Sequence, residues 1–181
     1  MATIIVILFA ISVHFSMPPL MMSSSMIWQY PFQKAFVGIY QNIEEPEWFP
    51  DFAEVVEEEY YFDYLPSIMQ GTGHCSVRFI TDTECAKKYA SQYEEQAVYK
   101  IPLREYSDGY WMLSSESTTE EVYDDNRLTF YLDEEFWAGC WNDESTATIY
   151  VLETNLDWNH PHSSVVIIDT VKGKVQFVQE G

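Results

Sequence analysis

Carboxylates and aromatic rings fall together at even spacing in two stretches of this chain. Glu59, Tyr61 and Asp63 occupy every second position of "EEYYFDYL" (58–65). Tyr131 and Asp133 do the same in "RLTFYLD" (127–133), with Trp137 close behind. Successive side chains of an extended strand point to opposite faces, so each set shares one face. Acids beside rings suit a small organic cation. The carboxylates supply charge and the ring faces supply cation–π attraction. Trp111, in "YWML", is a further candidate wall. The plain alternative is a solvated acidic face with rings packing across strands. Period two defines two faces without saying which is inside.

Other chemistries find less support. The chain has no G-x-S-x-G, no H-E-x-x-H and no phosphate-binding glycine loop. His74 and Cys75 are adjacent, so on a strand they face opposite ways and do not form a nucleophile–base pair. His160 and His162 with Asp157 could ligate a metal, but Pro161 between them suits an exposed turn, and a polar loop between two strands is the stronger reading. Carboxylates are too abundant to mark an acid–base pair without a cleft to split their pKa values. The reading is a binding protein, not an enzyme, with no cofactor and no metal.

Charge narrows the partners. The 181 residues carry 29 acidic and 9 basic side chains, a net charge of −20. That field repels nucleic acid and anionic membrane surfaces and attracts cations. Hydrophobic content of 47% is too high for an acidic disordered chain, and 17% aromatic residues can build a core in a single domain.

The first charged side chain is Lys34, and Thr3 to Phe15 is apolar. That run is shorter than the ~20 residues a bilayer needs and reads as a secretory signal peptide within residues 1–25. Small residues at Ala10-Ile11-Ser12 and Ser23-Ser24-Ser25 offer two cleavage points. Secretion makes disulfides possible, and Cys75, Cys85 and Cys140 allow three alternative single bridges.

Residues 26–43 are aromatic and poorly periodic, and Pro31 and Gly38 discourage a long helix, so they read as a leader segment. Trp48, Phe52 and Val55 share a helical face, predicting a short helix from about Trp48. Residues 44–181 form the folded domain. Strand patterns follow at 58–65, 74–80, 96–103, 110–113, 120–123, 127–132, 147–153, 163–170 and 174–179. Residues 82–95 read as a loop with one helical turn. Short strands without βα alternation predict an all-β antiparallel barrel or sandwich.

The order of these features resembles the salivary lipocalins of ticks, the histamine-binding type. The carriers are a secretory leader, the acidic Trp-bearing "PEWFPDFAEVVEE", the tyrosine-rich "EYYFDY", a cysteine opening "GHCSVRF", and "LTFYLDEEFWAGCW" with an aspartate and then a cysteine. The resemblance covers roughly residues 44 to 155. The chain departs from it in placing Trp141 after Cys140, where amine-binding members carry aspartate, and in ending on a hairpin-like stretch.

The resemblance implies an eight-stranded antiparallel barrel after a short N-terminal helix. It implies a monomer secreted in tick saliva that sequesters a biogenic amine such as histamine or serotonin. Cys75 and Cys140 match the family's cysteine positions best and are the disulfide candidates. The ligand-binding set is then Glu59, Tyr61, Asp63, Trp111, Tyr131, Asp133 and Trp137. Two alternatives stay open. A fatty acid or eicosanoid in the same barrel would use Arg78, Lys100 or Arg127. An acidic β-sandwich would bind a basic protein partner.

Overall fold

The computed structural model describes residues 21–41, 49–51, 58–67, 73–106, 110–112, 127–155 and 162–181. The protein is mostly β. In chain order its strands are β1 (Met22–Ser24), β2 (Glu58–Leu65), β3 (His74–Ile80), β4 (Tyr99–Pro102), β5 (Trp111–Met112), β6 (Arg127–Leu128), β7 (Thr148–Asn155), β8 (His162–Asp169) and β9 (Lys174–Glu180). Among the described residues two α-helices accompany them, α1 (Tyr30–Gln41) and α2 (Thr83–Glu94). Seven strands form one antiparallel sheet in the order β1-β2-β3-β9-β8-β7-β4, and β5 and β6 pair separately.

Alternation along the strands builds two cores, one on each face. The first face carries Tyr60, Phe62 and Tyr64 of β2, Val77 and Phe79 of β3, and Val175 and Phe177 of β9, all buried. Helix α2 covers it with Ala86, Tyr89, Ala90 and Tyr93, the i, i+3, i+4, i+7 positions of one helical face. Helix α1 adds Tyr30, whose ring meets Tyr60 edge-on at 6.1 Å, and Gln33, whose Oε1 accepts from the Tyr60 hydroxyl at 2.9 Å. The second face carries Ile149, Val151, Val165, Ile167 and Val178. Leu103, Tyr106, Leu128, Phe130, Phe136 and Trp137 bury that half.

Several expectations are corrected. The expected barrel would pair each strand with its sequence neighbour and the first with the last. Here β3 pairs with β9, the chain crosses the first face as α2, and β4 lies at the far edge. Closure is not found among the described residues; β1 and β4 are the sheet's edges. Residues 83–94 are a full helix because Asp82 Oδ1 caps it, accepting from the Glu84 and Cys85 amides at 2.9 and 2.8 Å. The segment read as a leader contains α1. Pro31 sits in the first turn, where its missing N–H costs nothing, and the buried Tyr30, Gln33 and Val37 anchor the helix.

Of 127–132, only Arg127 and Leu128 are strand. The strand expected at 96–103 is shorter, and Pro102 ends it at the sheet edge. The helix expected near Trp48 falls on residues outside the described ones, apart from Phe49 to Asp51. There the Pro50 carbonyl accepts from the Tyr30 hydroxyl at 2.7 Å. Residues 1–20 and the strand expected at 120–123 also lie outside them. Ser23 and Ser24 pair in β1 with Asp63 and Phe62, so a cut after Ser25 would remove a strand of the sheet.

The three cysteines are unbridged. Cys75 belongs to the first core and Cys140 to the second, with the sheet between them. A bridge between these two candidates, a pairing the sequence leaves open, is not formed.

Candidate functional site

The second face is apolar over β8, β7 and β4 and polar over β2, β3 and β9. Register explains why. Tyr61 pairs with Arg78 and Arg78 with Gln176; Asp63 pairs with Ser76; His74 pairs with Glu180. These side chains stand in adjacent rows of one face. The segment 131–137 lies over them.

Each group in this patch has a partner. His74 Nε2 lies 2.8 Å from Asp63 Oδ2, and an ionised carboxylate only accepts, so that nitrogen carries the proton. The His74 ring stacks on Tyr131, centroids 4.0 Å apart and planes 1° from parallel. Arg78 Nε lies 2.6 Å from Asp133 Oδ2, yet its N–H is not aligned on that oxygen, so the contact is an ion pair without a hydrogen bond. The guanidinium carbon is 5.1 Å from the Tyr61 ring centroid and 4.7 Å from that of Phe136, within cation–π reach. Lys174 Nζ is 4.9 Å from the same Phe136 ring and donates to the Phe136 carbonyl. Trp137 Nε1 donates to Gln176 Oε1 at 2.6 Å, and Gln176 Nε2 donates to Ser76 Oγ at 3.0 Å, so these buried polar groups are satisfied.

Asp133 also shapes the cover. Its Oδ1 accepts from the Phe136 amide at 3.0 Å and its carbonyl from the Trp137 amide at 3.1 Å. That turn aims Phe136 and Trp137 at the sheet.

Burial and acid neighbours mark the patch electrostatically. The Tyr131 hydroxyl is pushed up to about 12, first by burial and then by Asp63, Asp133 and Tyr61, with Arg78 opposing. Glu180 is raised above the ordinary glutamate range by burial, against the Tyr131 backbone amide and His74. A carboxyl raised in the folded state binds protons there more readily than when unfolded. Stability therefore falls as pH rises from the unfolded glutamate value through the raised folded one. Glu180→Gln should remove that fall and leave the protein more stable than wild type at neutral pH. Urea unfolding midpoints between pH 4 and pH 8 would show it; a wild-type profile flat across this range would contradict it.

Of the seven predicted binding residues, Tyr61, Asp63, Tyr131, Asp133 and Trp137 come together here. Glu59 does not. A bulge sets Glu59 and Tyr60 opposite Phe79, and Glu59 takes a left-handed φ of 52° and points to solvent. Trp111 lies on the β5–β6 ribbon and packs against the second-face core, but its ring is 5.9 Å from Tyr99 of β4, at the far edge of the sheet from β2. The partners His74, Gln176, Lys174, Glu180 and Phe136 were missed by sequence reading. The first four follow from the β2-β3-β9 register once it is known.

Arg78, considered only as a base for an anionic ligand, sits at the centre of the patch. Lys100 is exposed and paired with Glu94 on the other edge. His162 opens β8, and Asp157 and His160 lie outside the described residues. Among the described residues no group of three or more His, Cys, Asp and Glu could hold a metal ion, and no helix is long and apolar enough to cross a membrane.

Comparison with protein-family models, with curated proteins and with solved structures finds no match.

Proposed function

We propose that this protein binds a small cationic amine at the polar patch of the second face, as a secreted, monomeric binding protein and not an enzyme. One observation carries the reading: the patch already holds a cation. The Arg78 guanidinium lies against Tyr61, Phe136 and Asp133, the ring-and-carboxylate combination that amine recognition needs. The net charge of −20 adds a field that concentrates cations at the surface. An incoming amine takes the place of Arg78 against Asp133. Both side chains keep some exposure, 18% and 13%, so exchange does not require opening the core. The likeness to tick salivary lipocalins supports the amine class, and the eight-stranded barrel it implies would need residues outside the described ones to join β1 to β4.

Trp137 reports on the site, since its indole bonds to Gln176 beneath the cover. Titration with histamine and with serotonin should give a saturable change in tryptophan fluorescence with Kd below about 1 mM. A flat response to millimolar concentrations of both would sink the reading.

A second reading has its own observation. Arg78 and Lys174 both face the Phe136 ring, and two cations beside one paired acid suit a carboxylate head group. Displacement of a fluorescent fatty acid without any response to amines would favour it.

A further inference from the structure

We infer that Arg78 is a tethered stand-in for the ligand, and that the ligand class is a planar delocalised cation, a guanidinium or amidinium, in preference to an alkylammonium. This rests on the amine reading of the same patch and narrows it. The site treats its two resident cations differently. The Lys174 ammonium sees one ring and sends its hydrogen bond to the Phe136 carbonyl. The Arg78 guanidinium is placed at two rings, Tyr61 and Phe136, and meets Asp133 without an aligned N–H. An ammonium is a compact, strongly hydrated point charge that wants directed hydrogen bonds. A guanidinium is weakly hydrated and stacks on ring faces. The patch therefore offers two ring faces where a planar cation sits, and a single carboxylate oxygen, Asp133 Oδ2, where an ammonium would need partners for three N–H groups. Beside it, the parallel His74–Tyr131 stack presents further flat surface.

Arg78 also limits affinity. A tethered competitor acts at an effective concentration of about millimolar or higher, and a free cation must outcompete it. Cutting the side chain back to Ala leaves its place lined by the same Tyr61, Phe136 and Asp133.

The test is chemical rescue in the full chain. Butylguanidinium and butylammonium, which share an alkyl chain and a single charge and differ in the head group, are titrated against wild type and Arg78→Ala, read by tryptophan fluorescence and by the thermal midpoint. Butylguanidinium should bind Arg78→Ala at least about tenfold more tightly than wild type and recover part of the midpoint lost on substitution. Butylammonium should do neither to that degree. If wild type responds to amines but Arg78→Ala binds butylguanidinium no more tightly, or binds both cations alike, the inference is overturned while the amine reading stands. If wild type responds to no amine, the reading itself fails. Arg78→Gln, which keeps much of the side-chain length, serves where Arg78→Ala does not fold. It too should bind butylguanidinium more tightly than wild type, and failure to do so overturns the inference.

Discussion

Phe177→Ala should cost about 3–5 kcal/mol of stability, the largest loss expected from a single truncation here. Phe177 is fully buried at the middle of β9. Its ring meets Tyr89 and Tyr93 of α2 edge-on, with centroids 5.7 and 5.8 Å away, stacks on Phe79 of β3 at 6.2 Å, and tilts against Phe49 at 5.9 Å. One side chain thus joins the sheet, the crossing helix and the segment before β2. Phe79, Tyr89 and Tyr93 sit on regular elements and cannot collapse into the space, so the loss includes a cavity as well as transfer free energy. Aromatic pairs at these separations add more than their buried area. Urea unfolding would measure it. A cost under about 1.5 kcal/mol would mean that the ring cluster is loosely packed.

The second large effect is expected at Asp133. Asp133→Ala should destabilise by about 2–4 kcal/mol and abolish amine binding. Losing the side-chain cap on the Phe136 amide accounts for about 1 kcal/mol. Leaving the mostly buried Arg78 without its carboxylate accounts for about 1–3 kcal/mol more. The two losses share one side chain and are not strictly additive. Asp133→Asn separates them. Its amide oxygen can still accept from the Phe136 amide, so most of the cap survives while the charge is gone. Asp133→Asn should recover about 1 kcal/mol, the share of the cap, and should not recover amine binding. Thermal unfolding and fluorescence titration on both variants check this. Full amine affinity in Asp133→Asn would remove Asp133 from the site.

The parts that could be read in advance are those governed by local period. The bounds of β2 and β3 match the expected 58–65 and 74–80. The grouping of Tyr60, Phe62 and Tyr64 against Tyr61 and Asp63 also holds. Where 129–132 is not strand, the expected division holds as far as Phe130: Leu128 and Phe130 are buried and Thr129 is exposed, while Tyr131, Leu132 and Asp133 are all half-buried. Helix α2 had its signal in plain view, an Asp cap and Ala86, Tyr89, Ala90, Tyr93 at helical spacing. Its otherwise polar composition hid it.

Strand order was not legible. The β3–β9 pairing joins residues about a hundred positions apart, as in the Gln176–Ser76 bond, and no local pattern encodes such a contact. Without it, His74, Gln176 and Glu180 could not be placed beside Tyr61 and Asp63. Glu59 was misplaced for a related reason. A period-two template has no room for the extra residue of a bulge.

The sheet keeps its two buried thiols apart, Cys75 under the helices and Cys140 under the cover of the second face. The Cys75 thiol is pushed up by burial and by Asp63, which makes it inert while its layer stays shut. Cys85, half-buried at the start of α2, is the one thiol with exposure in the native fold. The chain therefore carries a natural pair of silent tags, one per layer. Alkylation followed by peptide mass mapping would time the opening of the helical layer separately from that of the layer over the second face, with no engineered probe.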